Sequence, residues 1–185
     1  MPISTDKTYT IEQHIHVFSS WAAGRAASAK NSRFRVEDAR KAIEHVCLDR
    51  LVCRPDRLPA GKYFDDAHAE WRSGVIRFMD ACTGAKISHG SSAKLINVYL
   101  KGALVCAGHH EDSRVAHVHP PIDRLLLKKL GARDIGGFRK FWRDAALKGW
   151  STWGAEQYDE VIRRIKSCVG SEPLWMIEKH WQGYV

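Results

Sequence analysis

Residues 89–107, HGSSAKLINVYLKGALVCA, indicate the fold most clearly. From Ser92 to Ala107, the apolar residues would cover every side of a helix or both faces of a strand, so the element is buried in either case. Its length favours a helix, and so do Ser91 and Ser92, because serine is a preferred residue at a helix start. We therefore predict a buried helix at this point of the chain.

Helical periodicity continues on both sides of this stretch. Apolar residues recur at steps of three and four, which is the spacing of one helix face, and no segment shows the alternation typical of a strand. The sequence therefore predicts an all-α fold, a compact bundle of about eight helices. The apolar stripes span residues 36–51, 64–82, 120–131, 138–145, 158–169 and 174–181.

Length and charge narrow the class of protein. The chain has 185 residues, of which 44% are hydrophobic. This is enough for a single domain over residues 1–185, with two helical lobes around one cleft. The formal net charge of +8 favours a polyanionic partner, and nucleic acid is the commonest one. No apolar run is long enough to span a membrane, and no protein partner is indicated, so we expect a monomer.

The cysteines indicate a reducing compartment. Their number is odd and no two form a C-x-x-C pair, which fits free thiols better than a disulfide framework. The polar N-terminus, residues 1–13, argues against a secretory signal peptide. We therefore expect a cytoplasmic protein. The cysteines are Cys47, Cys53, Cys82, Cys106 and Cys168.

The start of the buried helix combines a glycine-led turn with a lysine. Gly90, Ser91, Ser92 and Ala93 would open the helix, and its free N–H groups and positive dipole end would hold a DNA phosphate. Lys94 would lie in the first turn, where the dipole and partial burial both lower the pKa of its amine. A lysine with a lowered pKa is a better nucleophile at neutral pH.

Asp123 would lie in the first turn of the next predicted helix, which Pro120 and Pro121 can open. The helix dipole there favours the ionised carboxylate. If the two helix starts face each other, the amine of Lys94 and the carboxylate of Asp123 share one cleft, which we expect to be lined by lysine and arginine. This arrangement suits substitution at a sugar carbon through a cationic transition state.

Two motifs resemble those of the helix-hairpin-helix DNA glycosylases, such as endonuclease III. That family carries L-P-G-x-G-x-K-x-A-N-V-x-L, followed by V-D-x-H-V-x-R. Gly90, Lys94 and Asn97 fall at the first glycine, the lysine and the asparagine, while Ile122 and Asp123 fall at the Val-Asp pair. The runs HPPIDR and PLWMIEKHW also resemble small bacterial proteins described as 8-oxoguanine-glycosylase-like. The resemblance implies an all-helical fold with a divergent helix-hairpin-helix element.

The chain departs from the family pattern at several points. Ser92 replaces the second glycine of the hairpin, and Leu125 replaces the histidine that follows the aspartate. Ser88 and His89 replace the leucine and proline that precede the hairpin. The segment between the two motifs is longer than in the family, and the iron–sulfur cysteine pattern of endonuclease III is absent. These differences bear on the substrate more than on the fold.

The resemblance implies excision of a damaged or modified base from duplex DNA. The base would be flipped out of the duplex and Lys94 would attack the sugar carbon C1′. Asp123 would stabilise the developing cation, and Asn97 and His119 would support the site. A lysine nucleophile leaves a Schiff base, so strand cleavage by an AP lyase step can follow; no cofactor or metal is expected. Aromatic candidates for stacking on the base are Trp150, Trp153, Trp175 and Trp181, with core packing as the default for each.

Other patterns indicate other functions. Arg40 and His45 form R-x-x-x-x-H on a predicted helix, which resembles the motif of the all-α HEPN-type ribonucleases. A non-catalytic helical nucleic-acid-binding module that retains only the hairpin scaffold is a third alternative. The histidines and acids of residues 109–119 could bind a metal, but they lack a fixed helical spacing, so we predict a solvated loop there.

Overall fold

The computed structural model describes residues 8–29 and 34–183, and in these ranges the protein is all-α. The predicted fold class is thus confirmed. The first seven residues of the polar N-terminal stretch lie outside the described ranges. The α-helices in the described part of the chain are α1 (Ile11–Ala27), α2 (Val36–His45), α3 (Gly61–Thr83), α4 (His89–Leu100), α5 (Arg124–Ala132), α6 (Arg139–Lys148) and α7 (Ala155–Val169), and a C-terminal 3-10 helix covers Leu174–His180.

Local sequence signals define the ends of these helices. The Thr10 hydroxyl accepts a hydrogen bond from the backbone N–H of Gln13, and the Gln13 side chain accepts one from the Thr10 N–H. This reciprocal capping box satisfies two N–H groups that the first turn of α1 would otherwise leave unpaired. At the end of α3, Gly84 adopts the left-handed conformation with φ 70°, which glycine enters without strain.

Residues 89–107 are helical throughout. α4 continues directly into a π-helix, Lys101–His109, and such wide turns are rare and often lie at functional sites. α4 begins at His89 with Ser88 as its cap, so it starts before the predicted Ser92. Ten of its 12 residues are buried, which places this helix in the interior of the protein.

Buried apolar side chains form two clusters, and α4 contributes to both. The first cluster draws on α1, α2, α3 and α4, and it includes Leu95, Ile96 and Tyr99. The second draws on α5, α6, α7 and the C-terminal 3-10 helix, and Ala93 of α4 belongs to it. The neighbourhood of Ala93 on α4 therefore lies where the two clusters meet.

The sequence predicted no membrane-spanning segment and no disulfide framework. Within residues 8–29 and 34–183, no helix combines the length and the apolar character needed to cross a membrane. All five cysteines are free thiols, as their odd number and spacing predicted.

Candidate active site

Lys94 lies on the second turn of α4 and is enclosed by protein. Its side chain is only 8% exposed. This burial lowers the pKa of the amine, because an ammonium ion loses hydration in the interior. The charges of Asp123 and Glu178 oppose the shift, since they favour the protonated amine. The predicted direction of the shift is confirmed, but burial causes it: α4 begins at His89, which leaves Lys94 beyond the first turn.

Asp123 is the N-cap residue of α5 rather than a member of its first turn. Its backbone is extended, and its Oδ1 accepts a hydrogen bond of 2.8 Å from the N–H of Leu126. Its Oδ2 accepts one of 2.9 Å from the indole Nε1–H of Trp181 and lies 3.5 Å from the Nζ of Lys94. The last distance exceeds the roughly 2.7–2.9 Å of a tight charged hydrogen bond. The carboxylate therefore faces the amine without holding it closely.

Lys94 and Asp123 line a cavity of about 800 Å³. Its walls come from α1, α4, the π-helix, Pro121 and the C-terminal segment, and most of the side chains are apolar. The expected lining of lysine and arginine is not what the structure shows: the lysines and acids are balanced, and the lining includes no arginine. The cavity thus suits an uncharged, largely apolar group beside the amine, and a phosphate poorly. The lysines and acids of the lining are Lys94, Lys101, Asp123 and Glu178.

A second ion pair lies in the same cavity. Lys101 Nζ donates to Glu178 Oε2 at 2.5 Å. Burial raises the pKa of Glu178, and the positive charges of Lys101 and Lys94 oppose that shift. Two cations and two acids therefore offset one another, which reduces the cost of burying each of them. No sequence signal predicted this pair, because the two residues are 77 positions apart and belong to no common motif.

Asn97 belongs to a buried hydrogen-bond network beside the Lys94–Asp123 pair. Its Oδ1 accepts from His68 Nε2–H at 2.8 Å. Its Nδ2 donates to the carbonyl of Pro120 at 2.9 Å and to the hydroxyl of Tyr158 at 3.0 Å. Pro120 precedes Asp123 by three residues, so Asn97 ties α4 to the backbone that carries the carboxylate. This contact gives Asn97 the supporting position that the sequence predicted.

His119 extends the same network. Burial lowers its pKa and raises that of Tyr158, so the imidazole is neutral and the hydroxyl keeps its proton. The Tyr158 hydroxyl then donates to His119 Nδ1 at 3.0 Å, and His119 Nε2–H donates to Asp65 Oδ1 at 3.0 Å. His119 thus orders the segment before α5 and does not line the cavity.

The network predicts a large structural effect at Asn97. Asn97→Ala is expected to lower the free energy of unfolding by about 2 kcal/mol, because it leaves His68, Tyr158 and Pro120 short of a buried partner. Chemical denaturation measures the loss. Ser167→Ala removes one exposed side-chain hydrogen bond and should cost less than about 1 kcal/mol. Equal losses in the two variants would contradict the role of the network.

The residues expected to bind a DNA phosphate lie in the interior. The N–H of the first of them, Gly90, donates to the carbonyl of Trp153 at 3.1 Å, and those of the next two serines donate to Ser88. A Cβ on Gly90 would collide with the carbonyl oxygen of Trp150, so the glycine permits close packing here rather than access for a phosphate. This corrects the expectation of an open turn, because its donors are already used. The four buried residues are Gly90, Ser91, Ser92 and Ala93.

The residues of the ribonuclease alternative lie on α2 and do not line the cavity. Arg40 contacts Glu44 of the same helix at 3.7 Å. The ring of His45 packs against that of Phe78, with 5.0 Å between their centroids. Both side chains are exposed, and their contacts are those of a charged and aromatic helix surface.

The histidine-rich segment of residues 109–119 does not form one cluster. His119 is buried in the network described above, whereas His110 is exposed and its ring meets that of Trp175 edge-on. In the part of the chain that the structure describes, no group of three or more His, Cys, Asp or Glu side chains is placed to hold a metal ion.

The tryptophans proposed as partners of a flipped base separate into two groups. Trp150 and Trp181 line the cavity. Trp153 is fully buried in the second apolar cluster, and Trp175 packs beside the 109–119 segment. The indole N–H of Trp181 also orients Asp123, a role that the sequence did not indicate.

Lys94, Asp123 and the cavity together can support nucleophilic substitution at carbon. A buried amine with a lowered pKa can form a bond to an electrophilic carbon, and the neighbouring carboxylate can stabilise positive charge as it develops. The apolar cavity beside them can receive the group that leaves. Comparison of the chain with protein families, with curated proteins and with solved structures found no match.

Proposed function

We propose that this protein is a DNA glycosylase with AP lyase activity, which removes a modified or damaged base through nucleophilic attack by Lys94. The observation that carries the proposal is the placement of a buried amine 3.5 Å from the Asp123 carboxylate, on the wall of a largely apolar cavity. The net charge of +8 supports a polyanionic substrate. The resemblance of the two motifs to helix-hairpin-helix glycosylases points to the same reaction.

The reaction begins when the flipped base enters the cavity and its sugar lies against Lys94. The neutral amine forms a bond to C1′, while the bond from C1′ to the base nitrogen breaks. The electron pair of that bond leaves with the base, which takes up a proton. The new ammonium then loses a proton. The nitrogen lone pair forms a double bond to C1′ as the C1′–O4′ bond breaks, O4′ takes up a proton, and a protonated Schiff base results. Water can hydrolyse this intermediate, or loss of a proton from C2′ can eliminate the 3′ phosphate.

Asp123 acts on the charge that develops at the sugar. Its Oδ2 faces the amine, while the indole of Trp181 and the N–H of Leu126 hold the carboxylate in place. A fixed carboxylate stabilises a cationic transition state without having to reorient during the reaction. The carboxylate raises the pKa of Lys94, but burial outweighs this effect, so the net shift of that pKa is downward.

A basic groove between α5 and α6 is the surface proposed for the DNA backbone. Its volume is about 410 Å³, and its lining includes Arg124, Lys128 and Arg143 but no acid. Arg124 directly follows Asp123, so neighbouring residues at the start of α5 line the groove and the cavity. Leu147 is 78% exposed at the groove. Phosphate contacts in this groove would take the place of those expected at residues 90–93.

The groove predicts a change in the salt dependence of DNA binding. Replacing Lys128 and Arg143 together with glutamine should lower the slope of log K against log salt concentration by about 2, because each phosphate contact contributes roughly 0.9. Fluorescence anisotropy at several salt concentrations measures the slope. The matched control replaces Lys41 of α2 and Lys86 of the α3–α4 loop with glutamine, which removes the same charge. An equal slope change in the control would rule out the groove as the contact surface.

Trapping by borohydride tests the proposed function. A duplex with an abasic site presents C1′ as an aldehyde, so a nucleophilic lysine forms a Schiff base with it regardless of base preference. Reduction should convert this species into a stable protein–DNA adduct, visible on a denaturing gel. If the wild-type protein binds the duplex but yields no adduct between neutral and alkaline pH, the proposal is wrong.

A further inference from the structure

The cavity is larger and more apolar than an unsubstituted base requires. Its volume of about 800 Å³ falls in the range of roughly 300–1,000 Å³ that holds drug-sized ligands. Enzymes that act on flipped bases recognise them in closely fitting pockets. A bare purine would leave much of this cavity unfilled, so the space beyond the base has room for a substituent.

The unfilled part of the cavity is bounded by one face of α1. Ile15, Ala22 and Ala26 recur at helical spacing and line the cavity, and the two alanines leave room because their side chains are small. Lys94 and Asp123 belong to other elements, α4 and the start of α5. A base whose sugar lies at Lys94 could therefore carry its substituent towards α1.

Two polar residues of α1, His14 and Ser19, also line the cavity. Ser19 is 1% exposed, and its Oγ packs against Gly102, where a Cβ would collide with it. Among the described residues, none provides its hydroxyl with a hydrogen-bond partner. Because Gly102 covers this hydroxyl, it offers no hydrogen bond to a molecule in the cavity, and the apolar residues of the wall decide what the cavity accepts.

We infer that the cavity accepts a nucleobase enlarged by a bulky, mainly apolar substituent, which lies along α1. This inference deepens the proposed function by naming the class of base, and as a statement about excision it rests on that function. A site of this kind differs from one that recognises a small change to a base, such as one added oxygen. The size and the apolar surface of the substituent would select the substrate.

A set of defined duplexes tests the inference. The probes carry O6-benzylguanine, 8-oxoguanine or guanine at one position. Binding is followed by intrinsic tryptophan fluorescence, to which Trp150 and Trp181 of the cavity contribute. The wild-type protein should bind the benzylated duplex about tenfold to a hundredfold more tightly than the guanine duplex, which corresponds to full burial of one aromatic group. Excision should favour the benzylated base in the same order.

Two variants locate the preference in the cavity. Ala22→Leu fills the space beside α1 and should remove the preference for the benzylated duplex. Ala26→Leu, one turn further along the same face of α1, should do the same. Val17→Leu, on an exposed face of α1 outside the lining, is the matched control and should retain the preference.

Trapping on abasic DNA does not depend on the base. Combined with the binding data, it therefore distinguishes failure of the inference about the base from failure of the proposed function. If the wild type forms the abasic adduct but shows no preference for the benzylated duplex, the inference is overturned and the proposed function stands. If the preference persists unchanged in Ala22→Leu, the cavity is not the site and the inference is also overturned. A preference that Ala22→Leu removes, in a protein that forms no adduct, would support the ligand class and overturn the glycosylase proposal.

Discussion

Asp123→Asn is expected to slow base excision by about two orders of magnitude or more, because loss of a preorganised charge opposite a developing cation costs about 3 kcal/mol of barrier. Single-turnover kinetics on lesion DNA measure the change. Stability should fall by only about 1 kcal/mol, since asparagine can still cap α5. Asp134→Asn is the matched control, because Asp134 also accepts a hydrogen bond from a helix-start N–H, that of Arg139, but lies outside the cavity.

The pH dependence of the Asp123→Asn variant separates a charge effect from a structural one. The Asp123 charge raises the pKa of Lys94 against the lowering effect of burial. Its removal should therefore lower that pKa further, and the rising limb of the rate against pH should move to lower pH. Turnover at the wild-type rate, or a lowered rate with an unmoved limb, would show that Asp123 does not act on Lys94 through its charge.

Lys94→Met is expected to abolish excision and the trapped adduct, while DNA affinity stays within about threefold of wild type, because the phosphate contacts lie elsewhere. Methionine fills much the same space as the lysine stem but has no amine. Gel analysis of the adduct and anisotropy binding give the two readouts. Lys86→Met, which removes an exposed lysine paired with Asp80, should trap normally. An adduct of wild-type yield from Lys94→Met would refute the assignment of Lys94.

The lowered pKa of Lys94 also predicts how the stability of the wild type, compared with that of Lys94→Met, changes with pH. Below the folded-state pKa, the protein carries a buried ammonium that costs folding energy, and this cost is absent from Lys94→Met. As pH rises from the lowered folded-state value towards the usual value of an unfolded lysine, the folded state binds fewer protons than the unfolded state, so stability rises. The free energy of unfolding of the wild type, relative to Lys94→Met, should therefore increase towards alkaline pH.

The sequence predicted the helices because apolar periodicity is a local property. The buried stretch around Ile96 and the stripes on either side of it were enough for an all-α fold. The boundaries were less accurate: α4 begins at His89, since Ser88 provides the cap, and α5 begins after Asp123, whose extended backbone and side chain make it the N-cap. The exact helix boundaries depend on single capping hydrogen bonds, which the apolar periodicity does not predict.

The candidate site was predictable only in part. The motifs singled out Lys94 and Asp123, which the structure brings together. They did not indicate that Glu178 and Lys101 share the cavity, or that α1 forms a wall with Ser19 in it. Those contacts join residues distant in sequence, and they follow from the angles at which helices pack. The N–H groups of residues 90–92, which the motif predicted to bind a phosphate, donate instead to protein atoms.

The assignment of Lys94 as the nucleophile is tested by identifying the residue that carries the reduced adduct. The wild-type protein is trapped on abasic DNA with borohydride, the DNA and the protein are digested, and tandem mass spectrometry locates the sugar remnant. We expect the remnant on the peptide that contains Lys94, at its side-chain nitrogen. Lys101 is the sharpest internal comparison, because it lines the same cavity but is bound to Glu178 at 2.5 Å. A remnant on Lys101 or on another amine, with Lys94 unmodified, would contradict the assignment of Lys94 as the nucleophile.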